Sequence, residues 1–595
     1  MNSKQIGQVL SSSPENISIA LENMATLEEF KSDLQVGKYL KIADGNNNYI
    51  VGSINNIKAL EYDILNDLKL IIETQPIGIL VDNEFKRGVK NLPVPTEPVY
   101  VLKKEDLDKI YGSNSEYKFP IGVLSQNEQI NVMLNGDKFF GKHIAIVGST
   151  GAGKSNAVAK ILQTTVGINN STNINLHDQK NSHIIIFDLH SEYNAAFTLE
   201  NEQDFNLNKL SVENLKLPYW LMNSEELESI FIESSDNNSH NQVSMFKNAV
   251  ILNKERHNPE FEDITYDTPV YFDIGEVHNY IENVNREIIG KLDGENCPKL
   301  KDGTLIRDRE TYFDEIFEFV PTSTAKDSKA SVGPFNGEFN RFLSRLETKL
   351  KDKRLKFILK PEKENGELLK TTDFEEIIKQ FLGYLNKANV TIIDLSGIPF
   401  EVLSISVSLV SRLIFDFCFH YSKIQHEQDR LNDIPVLLVC EEAHNYIPRI
   451  GGAEYKSSKK SIERIAKEGR KYGLSLMIVS QRPSEVSETV FAQCNNFVSL
   501  RLTNQSDQSY VKNLLPEGTR DIGSTLPNLT TGEAIVVGDS VIMPTIIKME
   551  KPNPEPKSQS IEFEKEWDKK WKDIEFSEVI KRWRKEENEE LVTQN

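Results

Sequence analysis

The sequence predicts an α/β fold whose core is a mostly parallel β-sheet, preceded by a small β-barrel and interrupted by a mainly helical insert. Three observations carry the prediction. Five short apolar runs, HIAIVG (143–148), HIIIFDL (183–189), VTIIDLSG (390–397), PVLLVCEE (435–442) and LSLMIVSQ (474–481), are separated by helix-patterned stretches, the alternation that builds parallel sheets through crossover helices. Four of these five runs are continuously apolar, as strands covered on both faces are. Before about residue 100 the pattern instead breaks into brief apolar segments between turn signals.

Taken in order, the segments IGQVLSS, ISIAL, YLKIADGNNNYIVGSI, LKLIIE and IGILVD have the rhythm of a β-barrel, assigned to residues 1–115. Pro93, Pro95 and Pro98 suit a rigid exit from it. Residues 116–195 are the first part of the α/β core. Residues 196–388 form the charged, helix-patterned insert, with PTSTAKDSKASVGP (321–334) as a flexible stretch inside it. Residues 389–550 complete the core. The tail, 551–595, opens PNPEPKSQS and continues as a highly charged helix with Trp567, Trp571 and Trp583, a segment that either braces a neighbour or stands solvated.

A chain of 595 residues is too long for one compact domain and long enough for several. Its net charge of −20 excludes a surface that attracts nucleic acid or an anionic membrane everywhere, so contact with DNA requires a local basic patch such as the inner wall of a ring. The four cysteines, Cys297, Cys418, Cys440 and Cys494, are scattered without paired spacing and read as reduced and structural. The opening MNSKQIGQVLSSS has no basic start followed by an apolar run, so a cytoplasmic protein is expected. The most apolar long stretch, residues 402–421, is interrupted by Arg412 and Asp416; it reads as a buried helix, with no membrane partner.

The first strand of the core runs into Gly148-Ser149-Thr150-Gly151-Ala152-Gly153-Lys154-Ser155 and then Asn156 and the helical AVAKILQTTV. This is the phosphate-binding P-loop in its strand-loop-helix context. Its glycines let backbone N–H groups turn inward around a triphosphate, and the helix N-terminus adds positive potential. Residues 148–156 are therefore expected to bind ATP, with Lys154 on the β/γ-phosphates and the Ser155 hydroxyl on Mg²⁺. The strand VLLVC ends in Glu441-Glu442. In ATPases of this type the first acid supports magnesium and the second polarises the attacking water. The usual first acid is Asp, and Glu441 is one methylene longer. Gln481, ending another strand, is placed to sense the γ-phosphate or the water. In the preceding helix SIERIAKEGRKYG, Arg470 is the candidate arginine supplied in trans to a neighbouring subunit's site, with Arg464 and Arg501 as alternatives. Asp188, His190 and Glu192 of DLHSEY either line the site or shape a turn, and for His190 the turn is favoured. The loop 445–461, with Arg449, Lys456, Lys459 and Lys460, is either a backbone-gripping loop or an ordinary solvated one.

Together these residues resemble the HerA family of hexameric DNA translocases within the FtsK–HerA superfamily. The matching blocks are IGQVL, KRGVKNLPVPTEPVY, KHIAIVGSTGAGKSNAV, FDLHSEYN, VCEEAHNYIP, IAKEGRKYGLSLMIVSQRPSEV, QCNNFVSLRLTNQSD and LPNLTTGEAIVVGDSVIMP, covering nearly the whole chain except the insert and the tail. The resemblance implies a RecA-like ATPase core and a homohexameric ring that encloses double-stranded DNA and moves along it with ATP. It also implies a partner effector, either a NurA-like nuclease in end resection or a sirtuin-like enzyme in antiphage defence. The asparagine- and lysine-rich composition points to a bacterial member and to the defence setting. Two functions follow: a motor in which hydrolysis drives movement along DNA, and a ring scaffold in which nucleotide is a conformational ligand that switches an effector.

Overall fold

The computed structural model describes residues 4–45, 48–62, 67–82, 84–112, 115–168, 180–199, 205–232, 239–292, 295–325, 329–363, 365–452, 455–515, 520–557 and 561–584. Two compact units emerge from its packing. One comprises Met1–Lys209, Gln380–Ser396 and Ser411–Pro556; the other comprises Leu210–Lys379, Gly397–Val410 and Lys557–Asn595.

The first unit opens with the barrel. Strands Gln5–Ser12, Ile17–Leu21, Tyr39–Ala43, Tyr49–Tyr62, Asp67–Val81 and Pro98–Val101 close on themselves through pairing of the second with the fifth, and Glu84–Arg87 adds to the fifth. Alternate residues point inward: Ile17 and Ile19, Leu40 and Ile42, Ile50, Ile54, Ile72 and Val99 are buried in one apolar cluster. Period-two burial is the strand's way of giving one face to the core, and it explains why the barrel segments are only half apolar. Pro98 starts its strand, a position where a missing N–H costs least.

Eleven strands form the central sheet. Across it run Leu207–Leu210, Val390–Asp394, His183–Asp188, Val436–Cys440, Leu474–Ser480, His143–Val147, Cys494–Leu500, Glu533–Gly538, Thr545–Lys548, Lys118–Leu124 and Asn127–Asn135. The five predicted strands are neighbours in the parallel part of this sheet, with Cys494–Leu500 as a sixth parallel member. Beyond it the strands pair antiparallel, so the parallel part carries an antiparallel extension. His143–Val147, Val436–Cys440 and Leu474–Ser480 are buried along their whole length. Each fully buried Ile, Leu or Val contributes roughly 1.5–3 kcal/mol, which fixes the register of the strand ends that carry polar chemistry. Helix Lys154–Thr165 presses Ala157, Val158, Ile161 and Leu162 into the same core. Its buried Gln163 bonds Ala196 O and Pro554 O and accepts from Asn553 N–H, tying the end of the core to the helix behind the P-loop.

The second unit is largely helical, with Ser224–Phe231, Ser239–His257, Ile274–Arg286 and Asn340–Lys351, and it also holds a three-stranded antiparallel sheet of Ile288–Leu292, Glu295–Pro298 and Ser331–Val332. Buried Glu287 is held by Arg309 through two hydrogen bonds of 3.1 Å and by the Tyr312 hydroxyl. Residues 326–328 of the expected flexible stretch, and 558–560 and 585–595 of the tail, lie outside the described residues. Among its described residues the tail forms two short helices, Phe563–Trp567 and Phe576–Arg584, where one was expected, and Trp567, Trp571 and Trp583 are exposed. Helix Phe400–Glu427 is long and apolar enough to cross a membrane by composition, yet 78% of its most apolar window is buried against protein. All four cysteines are free and buried.

Candidate nucleotide site

The site gathers at the carboxyl ends of the parallel strands, where open α/β sheets bind ligands. The P-loop leaves strand His143–Val147 between its two sheet neighbours. Gly148 N–H donates to Ser480 O (3.4 Å) and Ser149 N–H to Arg501 O (2.8 Å), so the loop is pinned to the ends of both adjoining strands. Ser149 Oγ accepts from Thr503 N–H (3.0 Å) and lies 3.1 Å from Thr503 Oγ1. Gly153 has φ 98° and Gly151 φ 74°, angles that cost an L-residue about 1–2 kcal/mol. At Gly148 the limit is space, since a Cβ would sit 2.9 Å from Leu500 Cβ. Gly153 caps the helix that starts at Lys154, and the first turn of a helix directs unpaired N–H groups and positive potential outward. Ser155 and Asn156 follow in that turn, and the buried Oδ1 of Asn156 has no hydrogen-bond partner among the described residues.

Opposite the loop, strand Val436–Cys440 delivers the acid pair. Lys154 Nζ lies 3.7 Å from Glu442 Oε1, with both side chains nearly buried. Glu442 adopts φ 43°, ψ 47°, a left-handed conformation that is unusual for a residue other than Gly, Asn or Asp and is stored strain where it occurs at a functional site. His444 Nδ1 stands 3.3 Å from Glu442 Oε2 and 3.2 Å from Ser480 Oγ. Burial pushes the His444 pKa down, against the opposing pull of Glu442, so the ring is a neutral neighbour of the acid. Glu441 is only 3% exposed. Burial, and then the negative charges of Asp188, Glu192 and Glu442, push its carboxyl well above the usual range.

Gln481 reaches the P-loop directly: Thr150 Oγ1 donates to Gln481 Oε1 at 2.5 Å. Asp188 is buried and accepts N–H bonds from His190, Glu192 and Tyr193 at 3.0–3.3 Å, which makes it the organiser of the turn; His190 is exposed. Arg470 does not join this constellation within the chain. It is exposed in the turn Gly469–Tyr472, before the strand whose other end carries Ser480. A seven-residue strand at a rise of ~3.3 Å per residue separates the two by about 20 Å. The Arg470 charge is felt instead by His143, at the start of the P-loop strand. Arg464 lies over the Phe415 ring and 3.5 Å from Asp416. Of the three arginines, Arg501 is the one beside the P-loop, with its Nε buried and without a hydrogen-bond partner among the described residues. Sequence reasoning did not bring His444 to the site or place Arg501 beside the loop; the block VSLRLT following a buried strand was the available signal for the arginine. Arg449 of the basic loop is tied down by Glu485 O and Glu488, while Ala453 and Glu454 lie outside the described residues.

Among the described residues no group of three His, Cys, Asp or Glu side chains could enclose a metal ion. Four buried oxygens do lack hydrogen-bond partners there: Asn156 Oδ1, Glu192 Oε2, Glu441 Oε2 and Glu442 Oε2. This hard-oxygen set fits Mg²⁺, which keeps most of its waters and takes one or two carboxylates besides phosphate.

Comparison with known proteins agrees with this geometry. Residues 119–414 match the family described as "Helicase HerA, central domain". The chain is 25% identical over 577 residues to the DNA double-strand break repair helicase HerA of Sulfolobus acidocaldarius, spanning 92% of this chain and 93% of that one. A probable helicase of Methanocaldococcus jannaschii is 26% identical over 500 residues, spanning 82% and 80%. Among solved structures, VirB4 of Thermoanaerobacter pseudethanolicus aligns with TM-score 0.43 and 13% identity, covering 74% of this chain and 97% of that one. With its P-loop core and N-terminal barrel, the chain belongs to the HerA family of P-loop ATPases.

Proposed function

We propose that the chain is an ATP-driven translocase or helicase of double-stranded DNA, working as a homohexameric ring with a partner effector enzyme. The observation that carries this reading is the apposition of Lys154 Nζ and Glu442 Oε1, 3.7 Å apart at the mouth of the P-loop: the group that holds the terminal phosphate faces the group that activates water. Residues 148–156 wrap the triphosphate, and Lys154 balances the charge that grows on the γ-phosphoryl oxygens. Glu442 orients the attacking water and takes its proton. Gln481, tied to Thr150, holds the water from the end of strand Leu474–Ser480. Ser155 Oγ and Glu441 would hold magnesium, which would supply further neutralisation of phosphate charge. Arg470 serves the site of the neighbouring subunit, a role favoured by its exposure and its distance from its own P-loop.

DNA as the track is supported by the relatives named as double-strand break repair helicases. The effector, of NurA-like nuclease or sirtuin-like type, would supply any cutting or nucleotide chemistry in DNA end processing or antiphage defence. A second reading, a nucleotide-switched scaffold for that effector, is favoured by the net charge of −20. ATPase rates with and without duplex DNA separate the two. The motor predicts stimulation by DNA, abolished in Lys154→Ala. Equal rates with and without duplex in the intact oligomer would remove it.

A further inference from the structure

In a chain of net charge −20, residues 341–360 (RFLSRLETKLKDKRLKFILK) hold eight Lys or Arg against two acids. The structure folds this run around a cavity. Helix Asn340–Lys351 buries Phe342, Leu343 and Leu346, which turns Ser344, Arg345, Thr348 and Lys349 towards a hollow of about 270 Å³ that Asp352 and Arg354 complete on the far side. The lining carries three cations and one carboxylate. That carboxylate is occupied: Asp352 takes Arg354 Nε at 3.0 and 3.1 Å and Arg354 Nη2 at 2.7 Å, and its Oδ1 caps the Arg354 N–H. Glu347, the other acid, turns to His278 and Lys351. The Lys349 side chain makes no ion pair or hydrogen bond among the described residues. Pro399 also lines the hollow and immediately precedes the 28-residue helix Phe400–Glu427, so the positive end of a long helix opens at the same place.

We infer that this cavity is a phosphate-binding site of the insert and that its ligand is the sugar-phosphate backbone of a nucleic acid. Lys349 is the cation the lining leaves for a ligand; Arg345, whose Nη2 donates to Gln242, and Arg354, paired with Asp352, add positive potential and their remaining N–H groups, and with the Ser344 hydroxyl and a helix N-terminus these are the donors that phosphate oxygens take. The hollow is slightly smaller than the roughly 300 Å³ at which small-ligand pockets begin, room for a phosphodiester and its sugar. No aromatic ring lines it, so bases are neither stacked nor read, and contact is indifferent to sequence. A polyanion is favoured over a single free phosphate because exposed Lys353, Lys356 and Lys360 continue the positive track through the next turns. The inference rests on the DNA-translocase reading and adds a contact outside the ATPase core.

The test measures binding of fluorescent duplex DNA to the full-length oligomer across a salt series, for wild type, Lys349→Glu/Arg354→Glu, the milder Lys349→Gln/Lys353→Gln, and Lys247→Glu/Lys291→Glu as a control with the charge change of the double reversal at exposed positions of the same unit. The double reversal should weaken binding by about tenfold or more at low salt and flatten the log–log salt slope by about 2, the loss of two phosphate contacts. The glutamine pair should weaken it in the same direction, the control should not, and DNA-free ATPase should stay at the wild-type rate in all three. Variants that bind like wild type with an unchanged slope overturn the inference while leaving the translocase reading intact; wild type that fails to bind duplex at all overturns both. In a parallel arm, inorganic phosphate is followed by ³¹P line broadening: broadening that the double reversal removes, without any loss of DNA binding, assigns the cavity to a small free anion and overturns the backbone proposal.

Discussion

Replacing Glu442 by glutamine keeps the volume and removes one negative charge and one base. Two effects on ATP affinity oppose each other. The carboxylate attracts Lys154 at 3.7 Å, and a bound γ-phosphate would divert that lysine, which costs binding; the same carboxylate repels the phosphate. Unit charges about 4 Å apart interact by roughly 4 kcal/mol at an effective dielectric of about 20, so both losses have the same size and penalise the wild type, limited by the Mg²⁺ that screens them. Affinity should therefore hold or tighten in Glu442→Gln. Turnover should not survive: a positioned general base contributes about 10²–10⁴-fold, roughly 3–5 kcal/mol at 1.36 kcal/mol per decade. Stopped-flow binding of a fluorescent ATP analogue and steady-state phosphate release measure the two quantities on one preparation. A kcat within threefold of wild type would remove Glu442 as the base. Affinity weakened about 100-fold with turnover of bound nucleotide intact would make it a binding residue instead.

Two further outcomes test other parts of the reading. Arg470→Ala and Glu442→Gln should each be inactive alone but regain phosphate release when co-assembled, because an Arg470→Ala subunit keeps its base and borrows its arginine from a Glu442→Gln neighbour; no recovery in mixed oligomers would place Arg470 outside the neighbour's site. In the insert, buried Lys254 donates to Tyr266 O and Thr268 O, and burial lowers its pKa to about 8. Between pH 8 and its unfolded value near 10.4 the unfolded chain binds more protons, so stability rises with pH across that window by ~3 kcal/mol and the penalty is complete below it. Urea unfolding should show this rise relative to Lys254→Met, and parallel pH profiles for the two would refute it.

How far the sequence reached depended on what each strand must bury. HIAIVG, HIIIFDL and PVLLVCEE are covered on both faces, so apolarity alone located them. Glu533–Gly538 and Thr545–Lys548 extend the sheet antiparallel, with less continuous burial; the first was visible only as part of a resembling block, and the second lies just past that block's end. Leu207–Leu210 has one buried residue in four and nothing to distinguish it from the charged insert around it. At the site, glycine spacing announced the loop because positive φ at Gly151 and Gly153 is a local demand. The placement of Arg501 and His444 is not local. It follows from Cys494–Leu500 and Leu474–Ser480 flanking the P-loop strand, a sheet order that neighbouring residues in the chain do not encode. Arg470 makes the same point in reverse: close in sequence to Ser480, it is a strand's length from the chemistry.

The acid pair also explains why the site should respond to magnesium and nucleotide together rather than to nucleotide alone. Glu442 is held in a strained conformation, and Glu441 is buried near Asp188, Glu192 and Glu442, each of which opposes its ionisation. A strand end tolerates this cost only where something else recovers it. A bare triphosphate brings more negative charge to these carboxylates; a divalent cation between them converts repulsion into attraction and satisfies oxygens that now lack partners. Thermal stabilisation by ATP should therefore be large with Mg²⁺ and small with a chelator, beyond what added salt produces. Glu441→Gln should narrow that gap, by weakening the response with metal and relieving the repulsion without it. Equal stabilisation by ATP in magnesium and in chelator would mean that the acids at the end of Val436–Cys440 do not sense the cation, and the role assigned to Glu441 would have to be given up.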